Sequence, residues 1–121
     1  MSKILIVDDD AMARRMAEFL LKKLGLTAVS AASGAEGMEK LRSESFAMTF
    51  LDVEMPGESG IDVLKAIRAD AALCSAPVCF MTGTLTDELR REGEALAVSG
   101  YLSKPLAAPA VKALLAEHKI L

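Results

Sequence analysis

Basic charge is scarce in this chain. Lysine and arginine number 14 against 17 acids, for a net charge of −3 and a pI of about 5.2. A general nucleic-acid binder carries a basic stripe; none is visible, so no nucleic-acid partner is expected. Long hydrophobic runs are missing too. No apolar stretch approaches the roughly 18 residues that span a bilayer. The opening "MSKILIVDDD" is broken by three aspartates and makes a poor signal peptide. No membrane association is expected, and a cytoplasmic location is. The two cysteines, Cys74 and Cys79, are too few for a disulfide scaffold. Their C-x4-C spacing, with no other cysteine or histidine nearby, is poor for zinc. Reduced thiols are the expectation. The single histidine, His118, reads as a solvated helix residue. Repeats, low-complexity segments and interdomain linkers are absent.

What is present is enough for one real core: 121 residues, 52% hydrophobic and 26% charged. Two kinds of apolar pattern alternate along it. Residues 3–7, KILIV, form a short continuous apolar run of the kind buried on both faces of a sheet. Residues 11–24 place Met12, Met16, Phe19, Leu20 and Leu24 at helical spacing, and Gly25 stops them. Further strands are expected at 26–30, 46–51, 77–81 and 100–103. Helices are expected from the Ser33–Glu36 capping box to about 42, from a Ser59 cap to 69, over 85–97, and over 107–119. Strict β–α alternation calls for an α/β fold, a parallel sheet with helices on both faces. The chain starts at Met1 and stops at its last helix, which favours a complete single domain over 1–121 with no output domain. The seven methionines are read as core filler.

Ligands of such sheets sit outside the carboxyl ends of the strands. The first strand ends in Asp8, Asp9 and Asp10, the third in Asp52, the fourth in Thr82 and Gly83, and the fifth in Lys104 and Pro105. Gathered carboxylates repel one another. A divalent cation relieves that, and an all-oxygen set suits magnesium. One carboxylate can then attack phosphorus to give an acyl phosphate. A lysine and a hydroxyl would stabilise the transferring group, and Gly83 leaves room for it. Asp10 is also a candidate helix cap.

The segments "ILIVDDD", "FLDVEMPGESG", "PVCFMTGT" and "GYLSKPL" occur in this order over essentially the whole chain. Together they resemble the receiver domain of two-component response regulators, the family that includes the single-domain chemotaxis regulators. The resemblance implies a flavodoxin-like (βα)5 doubly wound sheet of strand order 2-1-3-4-5. It implies Asp52 as phosphoacceptor, Asp9 as direct magnesium ligand and Asp8 as the acid holding metal-bound water. The backbone carbonyl of Glu54 would be the third protein ligand. Thr82 would be the hydroxyl that turns towards the phosphate, Lys104 the lysine that pairs with it through a cis bond to Pro105, and Tyr101 the aromatic switch. Implied partners are a sensor histidine kinase or histidine phosphotransfer protein and a downstream target protein. The bacterial two-component role is that of a signalling module that catalyses only its own phosphoryl transfer and dephosphorylation. The sequence departs from the family pattern at Gly83, where alanine is commoner, in "AVSGYL", and at Ala107 and Ala108, where a capping residue is usual.

Rival readings remain at this stage. The first βα turn, "DDDAMARR", lacks G-x-G-x-x-G and G-x-x-x-x-G-K-[ST], which disfavours a nucleotide or flavin enzyme. A haloacid-type magnesium phosphohydrolase would want an aspartate where Glu54 stands. A degenerate receiver that only binds protein would not need the intact acids, threonine and lysine.

Overall fold

The computed structural model describes residues 2–121. Five strands alternate with five helices: β1 (Lys3–Val7), α1 (Ala11–Lys23), β2 (Thr27–Ala31), α2 (Gly34–Ser43), β3 (Met48–Asp52), α3 (Gly60–Ala69), β4 (Val78–Thr82), α4 (Asp87–Ala95), β5 (Gly100–Ser103) and α5 (Ala108–Glu117). The strands form one parallel sheet in the order β2-β1-β3-β4-β5, the order that the resemblance implies.

The two-residue period of a strand divides the core into two layers. Ile4, Ile6, Met48, Phe50, Cys79 and Met81 face one side and pack with Ala17 and Leu21 of α1 and Val111, Leu114 and Leu115 of α5. Leu5, Val7, Leu51, Val78 and Phe80 face the other side, against Val63, Leu64 and Ile67 of α3 and Leu89 of α4. Every residue of β3 and β4 is buried, which is why these segments are mostly apolar, with Thr49, Asp52 and Thr82 as the buried polar exceptions. β2, at the edge, is more open.

Side-chain caps fix the helix starts. Asp10 accepts the Met12 N–H, Ser33 that of Glu36, Ser59 that of Asp62, and Thr86 that of Leu89. Glu36 Oε1 also accepts the Ala32 N–H at 2.7 Å, so this capping box reaches one residue beyond the cap. α5 starts at Ala107 with no side-chain cap.

Several expectations need correction: β2 is Thr27–Ala31, β4 is Val78–Thr82 and α5 is Ala108–Glu117, each displaced or shortened by one or two residues from the expected bounds. The helix expected over 85–97 is shorter, because Thr86 caps it and Ala97 turns into the left-handed region at φ 55°. β3 starts at Met48, not at residue 46; Phe46 only packs against the core edge. On α1, Met12, Met16 and Phe19 lie 56–63% exposed. The helix carries two apolar stripes about a third of a turn apart, and the sheet takes the one with Ala17, Leu21 and Leu24. The reading of methionine as filler holds for the buried Met48, Met55 and Met81 and fails for Met12 and Met16; Met1 lies outside the described residues.

Candidate functional site

The topology brings the ends of β1, β3, β4 and β5 to one edge of the sheet, where β1 and β3 part to opposite directions of winding. β1 runs directly into Asp8, and Asp52 is the last residue of β3; each is only 1% exposed. Asp9 is exposed beside them. One carboxylate oxygen from each of Asp8, Asp9 and Asp52 can be chosen so that the three lie within 4.8 Å of one another. Gly60 lets the start of α3 press on the end of β3, since a Cβ there would meet the Asp52 carbonyl. The Gly60 N–H also donates to the Val53 carbonyl at 2.9 Å.

Lys104 supplies the counter-charge. Its Nζ stands 2.9 Å from Asp8 Oδ2 and 3.4 Å from Asp52 Oδ1. Burial works against its charge, but the hydrogen bond to Asp8 and the nearby Asp52 outweigh this and hold its pKa above the ordinary value. Asp8 is held further: its Oδ1 accepts the Asp10 N–H at 3.0 Å. Its carbonyl accepts from the Arg14 guanidinium at 2.8 Å, which ties Arg14 to the end of β1. The Lys104–Pro105 bond is cis, as the resemblance implies.

Asp52 is the poorly satisfied member. Oδ1 accepts the Glu54 N–H at 3.2 Å, whereas Oδ2 is buried with no partner. Burial, then repulsion from Asp8, push its pKa up to about 6, against the opposing pull of Lys104. An unpaired buried carboxylate oxygen is costly unless something compensates it. Three converging carboxylates with oxygen donors only fit a hard divalent cation such as magnesium.

Thr82 ends β4, 3% exposed. Its hydroxyl lies 2.6 Å from Glu54 Oε1 and 2.9 Å from the Thr84 carbonyl, with its one proton serving one of them at a time. Glu54 Oε1 also accepts the Gly83 N–H at 3.3 Å. The resemblance implies only a backbone role for Glu54; its side chain also reaches across to β4. Apart from its chain neighbours, no atom lies within 4 Å of where a Cβ on Gly83 would sit. Tyr101, on β5, is placed against α4. Its hydroxyl donates to the Arg90 carbonyl of α4 at 3.1 Å, and Gly93 makes the slot in which that hydroxyl lies. Arg68, which sequence reasoning passed over, ties α3 to the end of α4 by donating to the Leu96 and Ala97 carbonyls at 2.8 and 3.2 Å. His118 is exposed, and its Nε2 lies 3.1 Å from the Ser99 carbonyl.

A doubly wound parallel sheet with polar groups gathered at its switch point defines the class of α/β proteins that take a ligand at the carboxyl ends of their strands. The family is narrower than that. The model of the response regulator receiver domain matches residues 4–116, and the chain belongs to that family. The chemotaxis protein CheY of Pseudomonas aeruginosa is 39% identical over 111 residues, which cover 91% of this chain and 90% of that protein. CheY-3 of Vibrio cholerae is also 39% identical over 111 residues, 91% of this chain and 85% of the relative. The crystal structure of Vibrio cholerae CheY4 superposes with a TM-score of 0.90 at 30% identity, covering 100% of this chain and 99% of that one. The chain is therefore a CheY-like receiver domain, a signalling module, and the readings as an oxidoreductase, a phosphohydrolase or a degenerate binding domain are not favoured.

Proposed function

We propose that this receiver accepts a phosphoryl group on Asp52 and thereby switches its contacts with other proteins. The observation that carries the reading is Asp52 itself. It is a buried carboxylate at the end of a central strand, with one oxygen unpaired and a lysine 3.4 Å from the other. In the transfer, a carboxylate oxygen of Asp52 attacks phosphorus. The bond from phosphorus to the donor's imidazole nitrogen breaks, that nitrogen takes up a proton, and an acyl phosphate remains. Asp8, Asp9, Asp52 and the backbone carbonyl of Glu54 would hold magnesium. When bound, the ion supplies positive charge to offset the carboxylates and the phosphoryl oxygens.

Lys104 pairs with the phosphoryl group and so leaves Asp8. The Thr82 hydroxyl donates to a second phosphoryl oxygen, and Gly83 leaves the access open. A phosphoryl group adds about 1.5 to 2 negative charges and three acceptor oxygens, enough to reorganise these donors. Tyr101 and α4 carry the change outward to the partner face formed with β5 and α5. The donor is a sensor histidine kinase or a histidine phosphotransfer protein, and the recipient of the signal is a downstream target protein. Nucleic acid and membrane are not partners. Residues 1–121 act as one receiver domain in the cytoplasm of a bacterium, with no turnover beyond the domain's own phosphorylation and dephosphorylation.

Incubation with acetyl phosphate and magnesium tests this. Intact-mass analysis should show one added phosphate on the wild type and none on Asp52→Asn. Equal labelling of the two proteins would refute the assignment, and steady turnover of a generic phosphate ester would refute the non-enzymatic reading.

A further inference from the structure

The side chain of Glu54 does something the receiver chemistry does not call for. Its Oε1 takes two donors from the end of β4: the Thr82 hydroxyl at 2.6 Å and the Gly83 N–H at 3.3 Å. A hydroxyl and a backbone N–H aimed at one anionic oxygen are an oxyanion site. This one lies on the strand next to the phosphoacceptor. β3 pairs with β4 so that Asp52 is in register with Met81, and Thr82 and Gly83 follow directly. No cation answers Glu54: among the described residues it takes part in no salt bridge, and Lys104 is engaged by Asp8 and Asp52. The acid therefore rests on these two donors alone. It borders an open cleft of about 220 Å³ that also includes Thr84, Glu88 and Glu92, which gives the side chain somewhere to go.

We propose that the Glu54 carboxylate is a built-in stand-in for the phosphoryl group. It occupies the Thr82 and Gly83 donors in the unphosphorylated chain and must swing out before they can serve an anion on Asp52. The proposal rests on the reading of Asp52 as phosphoacceptor and adds a specific cost to it. Every phosphoryl donor competes with an internal ligand, so Glu54 raises the threshold for phosphorylation and holds Thr82 out of the switched position. The sequence conceals this, because nothing in the "DVEMP" run says that the acid reaches a strand end 28 residues further on.

The test is the affinity of the protein for beryllofluoride in the presence of magnesium, with the Gly83 amide of ¹⁵N-labelled protein as a second readout. Glu54→Ala should bind the mimic at least about tenfold more tightly than wild type, the size expected of one charge-assisted hydrogen bond released from competition. Most of that gain should vanish in the Thr82→Ala background, because the competition runs through that hydroxyl. Without any ligand, the Gly83 amide proton of Glu54→Ala should move upfield as it loses its acceptor. Glu88→Gln removes an acid from the same cleft that does not hold these donors, and should change the affinity much less. The proposal is overturned if Glu54→Ala binds no more tightly than wild type, if Glu88→Gln reproduces the gain, or if the Gly83 amide does not move. If neither the wild type nor Glu54→Ala binds beryllofluoride, the phosphoacceptor reading itself falls. Intact binding with unchanged affinity removes only the role of Glu54.

Discussion

Asp52 illustrates what one residue can disclose in a sequence and what it cannot. An apolar strand that ends in an acid was legible, as were the acids after the first strand and the lysine before a proline. Each sits at a strand end, and the ends of parallel strands share one edge. The partners of these groups were not legible. Lys104 bonds to Asp8 as well as to Asp52, and the Glu54 side chain crosses to Thr82. Such reach depends on loop paths that spacing does not encode. The electrostatic state of Asp52 has a consequence for stability. Its folded pKa of about 6 lies above its ordinary value, so the folded protein holds a proton that the unfolded chain has already released. The contribution of this group therefore makes the protein less stable as pH rises from about 4 to about 6, and is constant above that. Without metal, moving from pH 7 to pH 5 should recover on the order of 1 kcal/mol from Asp52 alone. Urea melts of wild type and Asp52→Asn at the two pH values measure it. The variant should be the more stable at pH 7 and should lack this component of the pH response. Parallel pH responses would contradict the strained carboxylate.

At the scale of elements, periodicity and caps gave the order and kind of every strand and helix, and erred where two signals competed. α1 has two apolar stripes, and only packing against the sheet decides between them, so Met12, Met16 and Phe19 emerged on the wrong face. α4 lost its ends to the Thr86 cap and to the turn at Ala97. The missing cap at Ala107 was visible in the sequence, and its backbone already has the extended conformation a cap needs. Ala107→Ser should raise stability by about 0.5–1 kcal/mol in urea melts; a loss would mean that the α5 entry is not a normal N-cap. Gly93 has a different role. It looks like a weak point in a helix, yet a Cβ there would strike the Tyr101 hydroxyl and Val98. Gly93→Ala gains up to about 1 kcal/mol in helix propensity and loses about 1–3 kcal/mol by overpacking. Net destabilisation is expected, with Tyr101, the sole tyrosine, driven from its slot and its fluorescence changed. A stabilised protein with unchanged tyrosine emission would show that Tyr101 does not depend on that slot.

The whole molecule is two apolar layers around a parallel sheet, with one edge loaded with charge that the layers cannot satisfy. That loading was foreseeable from composition and order alone. Its magnitude was not, because burial of Asp8 and Asp52 is a product of the assembled sheet. A cation that binds only the folded chain stabilises it by mass action. Magnesium should therefore raise the melting temperature of the wild type. Asp9→Ala should be folded but give little or no shift, and an undiminished shift would remove Asp9 from the metal site. The central claim is that the acyl phosphate forms on Asp52, and the most direct measurement is to locate it. After labelling with acetyl phosphate and magnesium, borohydride reduction and peptide mass spectrometry should place the reduced residue at Asp52 alone. A reduced residue at Asp8 or Asp9 in the wild type, with Asp52 intact, would contradict the account.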